Sequence, residues 1–138
     1  MGKMIVLLSM VFMHIVDDYY LQGILASMKQ KSWWKEHYPQ DMYKYDYLLA
    51  LLMHSFSWAF CINIPVVIYG YLIGNIWDGS ISWGSNISIA LFTVLFIINC
   101  ITHSLVDNAK ANKLKINLWQ DQVIHLCQIL ITWAVMIA

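Results

Sequence analysis

Residues 86–107, NISIALFTVLFIINCITHSLVD, decide the fold class. The run is apolar over a length that matches the ~20 helical residues needed to cross a bilayer. It carries no acidic or basic residue until Asp107. Its last turns hold Asn99, Thr102, His103 and Asp107. His103 and Asp107 stand four apart and therefore share one face of a helix. The spacing recurs twice. His14 and Asp18 stand four apart in MHIVDDYYLQG (residues 13–23), with Gln22 four further on. Asp121 and His125 repeat it in reversed order in LWQDQVIHLCQ (residues 118–128). Asp17, one position off the His14–Asp18–Gln22 face, reads as an interfacial residue.

Working outward, three further runs frame this one. Residues 4–25 begin like a signal peptide, with Lys3 before an apolar run. No small-residue cleavage site follows, and Asp17–Asp18 falls where one is expected, so the run reads as a retained transmembrane helix. Residues 46–74 form a second span, with Pro65 as the expected kink and His54, Ser57 and Cys61 on one face. Residues 119–138 form the fourth. The fold expected is all-α, a single domain over 1–138, with four transmembrane helices in an antiparallel bundle (4–25, 46–74, 86–107, 119–138). The chain has 138 residues, of which 60% are hydrophobic and 12% charged. That charged fraction is about half of the ~25% usual in soluble domains and points to a membrane protein. Net charge is zero, so nothing suggests a nucleic-acid surface. Three cysteines, Cys61, Cys100 and Cys127, lie far apart in apolar runs, which argues for buried packing residues and against a disulfide framework.

The loops set the orientation. Residues 26–45 carry Lys29, Lys31, Lys35 and Lys44 among Trp33, Trp34, Tyr38, Tyr43 and Tyr45, a mixture suited to the headgroup region. His37 in this stretch reads as a solvated histidine. Residues 108–118 hold Lys110, Lys113 and Lys115, whereas residues 75–85 hold no lysine and present Trp77 and Trp83 as interface anchors. The sequon Asn86-Ile87-Ser88 is too common by chance to carry weight. The positive-inside rule then places 26–45 and 108–118 in the cytoplasm and both termini outside. With that orientation, His14/Asp18, His54, His103/Asp107 and Asp121/His125 all fall at one depth, in the cytoplasmic half of the bilayer.

An aspartate facing lipid costs about 2.5–3.5 kcal/mol at mid-membrane on insertion scales. The polar faces are therefore expected to meet. No lysine lies within the spans beside Asp18, Asp107 and Asp121, so the counter-charge must be a proton or a bound cation. Four imidazoles and three carboxylates suit Zn²⁺, with Mn²⁺ or Fe²⁺ as alternatives. The candidate ligands are His14, Asp18, His54, His103, Asp107 and His125, with His14, His103 and His125 as leading choices. The surplus of ligands serves as hydrogen-bonding support or as a second metal site. Asp121 is the candidate general base, Gln22 and Gln122 orient substrate or water, and Lys29, Lys110 and Lys113 are candidates to hold a lipid headgroup. The expected activity is metal-dependent hydrolysis of a lipid or membrane-associated ester or phosphoester. The alternatives are a small oligomeric proton- or cation-coupled transporter, and a phage membrane interaction protein whose polar core is structural.

The pattern H-x3-D-x3-Q, then H, then H-x3-D-x2-K, then D-Q-x2-H resembles domain-of-unknown-function family 3307, small membrane proteins of bacteria and phages. The matching residues are His14, Asp18 and Gln22; His54; His103, Asp107 and Lys110; and Asp121, Gln122 and His125. The resemblance spans almost the whole chain. It implies a multi-pass protein of the bacterial cytoplasmic membrane and a phage-encoded origin, and it brings no function with it. Thr102-His103-Ser104 more distantly resembles a motif of membrane-bound metal-dependent hydrolases.

Overall fold

The computed structural model describes residues 2–73 and 89–137. The expected loop at 75–85, its Trp77 and Trp83, and the sequon at Asn86 lie outside these. The described residues contain helices and turns and no strand. Helix α1 (Gly2–Val16) runs into a single π-helical turn (Asp17–Leu21). Two short helices follow, α2 (Leu25–Met28) and α3 (Lys31–His37), then a 3-10 turn (Asp41–Tyr43). Three long helices complete the chain: α4 (Asp46–Ile73), α5 (Ile89–Ala111) and α6 (Leu118–Met136).

Among the described residues, three segments are long and apolar enough to cross a membrane: Gly2–Leu21, Asp41–Leu72 and Ala90–Ala111. Helix α6 is not among them, because Gln120, Asp121, Gln122, His125 and Gln128 interrupt its first three turns. Around the bundle, α1 packs on α4 and α6, and α5 packs on the same two. Trp133 near the end of α6 donates to the Lys3 carbonyl at the start of α1 (2.9 Å).

The distribution of polarity is the reverse of a water-soluble protein's. Leu8, Phe12, Phe56, Phe60, Ile101 and Leu105 are more than half exposed, while four of the five histidines are fully buried. An apolar exterior around a polar interior fits a hydrocarbon solvent, where outward polar groups cost most. One half of the interior is apolar, built from Val6, Met10, Trp58, Ile62, Val66 and Ile129. The buried imidazoles, carboxylates and lysine all lie in the other half.

Local sequence explains where the elements stop. The α1 segment ends at Leu21 rather than at 25, and the chain turns at Gly23, whose φ of +49° lies in the left-handed region that favours glycine. Helix α6 starts on a capping box. Asn117 Oδ1 accepts from the Gln120 amide (2.9 Å), and Gln120 Oε1 accepts from the Asn117 amide (3.0 Å). Helix α5 continues one turn past Asp107 to Ala111, so Lys110 sits on the helix and not in the loop. Pro65 lies within α4. The 26–45 stretch folds back as α2, α3 and the 3-10 turn, and is fastened to α5: Asn112 Nδ2 donates to the Lys29 carbonyl (2.9 Å), and the Lys31 amide donates to Asn112 Oδ1 (2.7 Å). His37 is exposed and stacks on Trp33 (4.5 Å between centroids). Of the cysteines, Cys61 and Cys100 are buried and free; Cys127, expected to be buried, is exposed on the outer face of α6.

Candidate metal centre

The polar layer is assembled from the end of α1, the first turns of α4, the end of α5 and the start of α6. Asp17 and Asp18, three and four residues after His14, flank its face of the helix and both turn toward the layer. A π-helical turn closed by the Gln22 amide on the Asp17 carbonyl (3.1 Å) begins there. Asp17 is not interfacial but fully buried, continuing the stripe of Val6, Met10 and His14. Ser57 Oγ donates to Asp17 Oδ1 (2.6 Å), and Asp17 Oδ2 stands 3.6 Å from His54 Nδ1.

His54 and His103 present their Nε2 atoms to each other at 3.1 Å. Asp18 Oδ1 lies 3.4 Å from the first and 3.9 Å from the second. Asp107 Oδ2 lies 3.5 Å from His54 Nε2, and Asp107 Oδ1 lies 3.9 Å from His103 Nε2. Four ligand atoms around a tetrahedral ion with bonds of about 2.0–2.1 Å are separated by about 3.3 Å. The separations observed bracket that value. Among the described residues, Asp18–His54–His103 and His103–Asp107–His125 are the two groups that bring ligand atoms within 4.8 Å of one another. Asp18 Oδ1 has no hydrogen-bond partner. Asp17 Oδ2 faces His54 Nδ1 without a hydrogen bond, on the side where metal-ligating histidines place a supporting carboxylate.

His14 falls outside both groups. The Trp58 indole donates to His14 Nδ1 (2.8 Å), so that nitrogen carries the lone pair and Nε2 carries the proton. Nε2–H donates to Gln122 Oε1 (3.1 Å). Gln122 Nε2 in turn donates to Asp121 Oδ2 (3.1 Å) and reaches Asp18 Oδ2 at 3.4 Å. With both ring nitrogens engaged, His14 positions Gln122 and Asp18 and has no lone pair to offer a cation. Gln22 turns back to the Asp18 carbonyl and does not reach the ligand atoms.

The lysines change the charge balance expected from sequence. Lys29 is buried and binds Asp107 Oδ2 at 2.6 Å, and Lys110 pairs with Asp121 Oδ2. Counter-charge thus comes from the folded-back connection and from the extra turn of α5. Both lysines are committed to carboxylates, and only Lys113 of the three headgroup candidates stays exposed and outside the layer. Four carboxylates (Asp17, Asp18, Asp107, Asp121) against two lysines leave two negative charges when the imidazoles are neutral. One divalent cation balances them.

Sequence reasoning missed Asp17, Trp58 and Gln128. Trp58 is fully buried, stacks on His103 (4.3 Å) and fixes the His14 tautomer. It stands four residues after His54, and Gln128 stands three after His125, so helical spacing marks both positions. Nothing in the sequence marks the π-helical turn.

The chain matches no family model, no curated protein and no solved structure. The resemblance to family 3307 therefore rests on the residue pattern alone, and the functional reading rests on the geometry.

Proposed function

We propose that this chain is an integral membrane protein whose α1, α4, α5 and α6 all cross the bilayer as an antiparallel bundle, and that it is a metal-dependent hydrolase of a lipid or membrane-associated ester. The observation that carries the proposal is the quartet of His54, His103, Asp18 and Asp107, buried except for the partly exposed Asp18, with His54 Nε2 and His103 Nε2 3.1 Å apart. Zn²⁺ suits two imidazoles and two carboxylates best, and Mn²⁺ or Fe²⁺ also fits. The fourth span is supported by the exposed apolar side of α6, where Trp119, Leu130, Ile131 and Val135 face outward. The lysine distribution supports a cytoplasmic position for the polar end.

A bound divalent ion would supply a water molecule of lowered pKa and polarise the scissile ester. The chain's own residues do the rest. Asp17 stands beside His54 Nδ1, leaving Nε2 turned to His103. Trp58 and Gln122 hold His14 and Asp18 in place. An open groove of about 480 Å³ runs along the outside of α1 and α6 to this point. Its walls are Ile15, Tyr19, Tyr20 and Leu126, and its floor is His14 and Gln122. A side opening with apolar walls and a polar floor admits a lipid chain while presenting its ester to the layer. The His125–Asp121 pair lies next along the layer, fully buried, and is available to a proton or to a second cation.

A proton or cation relay fits less well. Among the described residues, the buried imidazole, carboxylate and amine groups form one layer, and the apolar cluster closes the other half of the interior. The test is hydrolysis of phospholipid and phosphoester substrates in mixed micelles by protein loaded with zinc or manganese. Activity that disappears in His103→Ala and persists in Lys113→Ala supports the proposal. Activity retained in His103→Ala, or vesicles that carry metal- or proton-driven flux without hydrolysis, overturns it.

A further inference from the structure

His125 is held in a way that the quartet does not account for. Its Nδ1 lies 3.1 Å from Gln128 Oε1. The same amide's Nε2 donates to the Asn99 carbonyl (3.2 Å), which fixes the amide oxygen toward the imidazole. Nδ1 therefore carries the proton and Nε2 presents a lone pair. That lone pair faces Asp107 Oδ1 at 3.4 Å and Asp121 Oδ1 at 3.5 Å. Neither His125 Nε2 nor Asp121 Oδ1 has a hydrogen-bond partner, and both residues are fully buried. A lone pair and two carboxylate oxygens, with no donor between them, repel each other unless something positive lies at a point among them. The two separations from His125 Nε2 are close to the ~3.3 Å edge of a tetrahedral site, and Asp107 and His125 also form a ligand group with His103, all within 4.8 Å of one another. The lysines occupy the outer oxygens, Oδ2 of Asp107 and Oδ2 of Asp121, and leave both inner oxygens free to face that point.

We infer that the layer is a two-cation centre. The first cation lies on Asp18, His54 and His103, the second on Asp107 and His125, with Asp121, whose Oδ1 stands 3.5 Å from His125 Nε2, closing in as its third ligand. Asp107 stands between them, its free Oδ1 3.9 Å from His103 Nε2 and 3.4 Å from His125 Nε2. The inference rests on the metal reading of the first site and narrows the substrate. Charge decides the class: four carboxylates, two lysines and two divalent cations leave two positive charges in a buried layer. An anionic phosphoester neutralises them and a neutral carboxylic ester does not. Paired cations also suit displacement at phosphorus, since each can hold one of the attacking and leaving oxygens.

The test uses the full chain in mild detergent, purified through a tag without histidines, stripped with chelator and titrated with Mn²⁺. The expected result is two equivalents bound, with a spin-coupled electron paramagnetic resonance spectrum. Asp121→Asn, and His125→Gln as a second variant should the first not fold, are each expected to bind one equivalent and give an uncoupled six-line signal. One uncoupled equivalent in the wild-type protein overturns the second cation and leaves the first site standing. Two equivalents retained in both variants overturn the assignment to His125 and Asp121. No bound manganese, with none after zinc reloading, overturns the metal reading altogether.

Discussion

Replacing Lys29 by Met tests whether the layer is organised around a cation or merely closed by ion pairs. Lys29 Nζ lies 2.6 Å from Asp107 Oδ2, with both side chains at most 9% exposed. Methionine keeps most of the side chain's apolar length and removes the charge. Deleting one partner of a buried pair costs about 3–5 kcal/mol, because the other is left uncompensated. Without metal, the variant is therefore expected to lose about that much stability. With metal the outcome differs. A ligand at 100 times its dissociation constant adds about 2.7 kcal/mol to the folded state. In the wild-type protein Asp107 divides its charge between Lys29 and the cation, whereas in Lys29→Met the cation has it alone. Zinc should bind the variant at least tenfold more tightly, so that saturating zinc narrows the stability gap by about 1.4 kcal/mol or more. Unfolding by dodecyl sulfate in mixed micelles, followed by tryptophan fluorescence, measures both gaps, and Lys29→Arg serves as the charge-retaining control. A gap of equal size with and without zinc refutes the reasoning, because Lys29 and a cation would then not share Asp107.

Three further outcomes follow from the local geometry. Asp17→Asn keeps the shape beside His54 Nδ1 and removes the carboxylate, so metal affinity, read by competition with a chromophoric chelator, should fall by about 10–100-fold. Gly23→Ala places a Cβ on a backbone with φ of +49° and should cost about 1–2 kcal/mol in the same unfolding assay, with metal affinity unchanged. Asn117→Ala removes the capping box that starts α6 and should cost about 1 kcal/mol, with amide hydrogen exchange rising in the first turn of α6 ahead of the rest.

The sequence carried the helical class and the membrane environment because both depend on long apolar runs, and three of those runs form helices of spanning length. It also carried the shared depth of the imidazoles and carboxylates, since a spacing of four on a regular helix needs no tertiary information. Asp17 was within reach of the same argument: it stands three after His14 and continues the buried stripe of Val6, Met10 and His14, so its burial follows once i+3 neighbours are counted with i+4 ones. What the sequence did not carry depends on distant contacts and on hydrogen-bond direction. Lys29 reaches Asp107 across 78 positions, through a connection whose return path is set by Asn112. His14 has the residue type and position of a ligand, yet the Trp58 indole takes its lone pair. A list of candidate ligands read from residue types cannot separate a ligand from the group that positions one; hydrogen-bond direction does.

The central claim is that His54 and His103 hold a divalent cation. X-ray absorption at the zinc edge of the reloaded protein, beside a His54→Ala/His103→Ala variant, tests it most directly. The expected result is nitrogen and oxygen neighbours at about 2.0–2.1 Å with the outer-shell scattering of imidazole, at near-stoichiometric zinc in the wild-type protein and lost in the variant. Zinc bound equally by both proteins, or by neither, would contradict it.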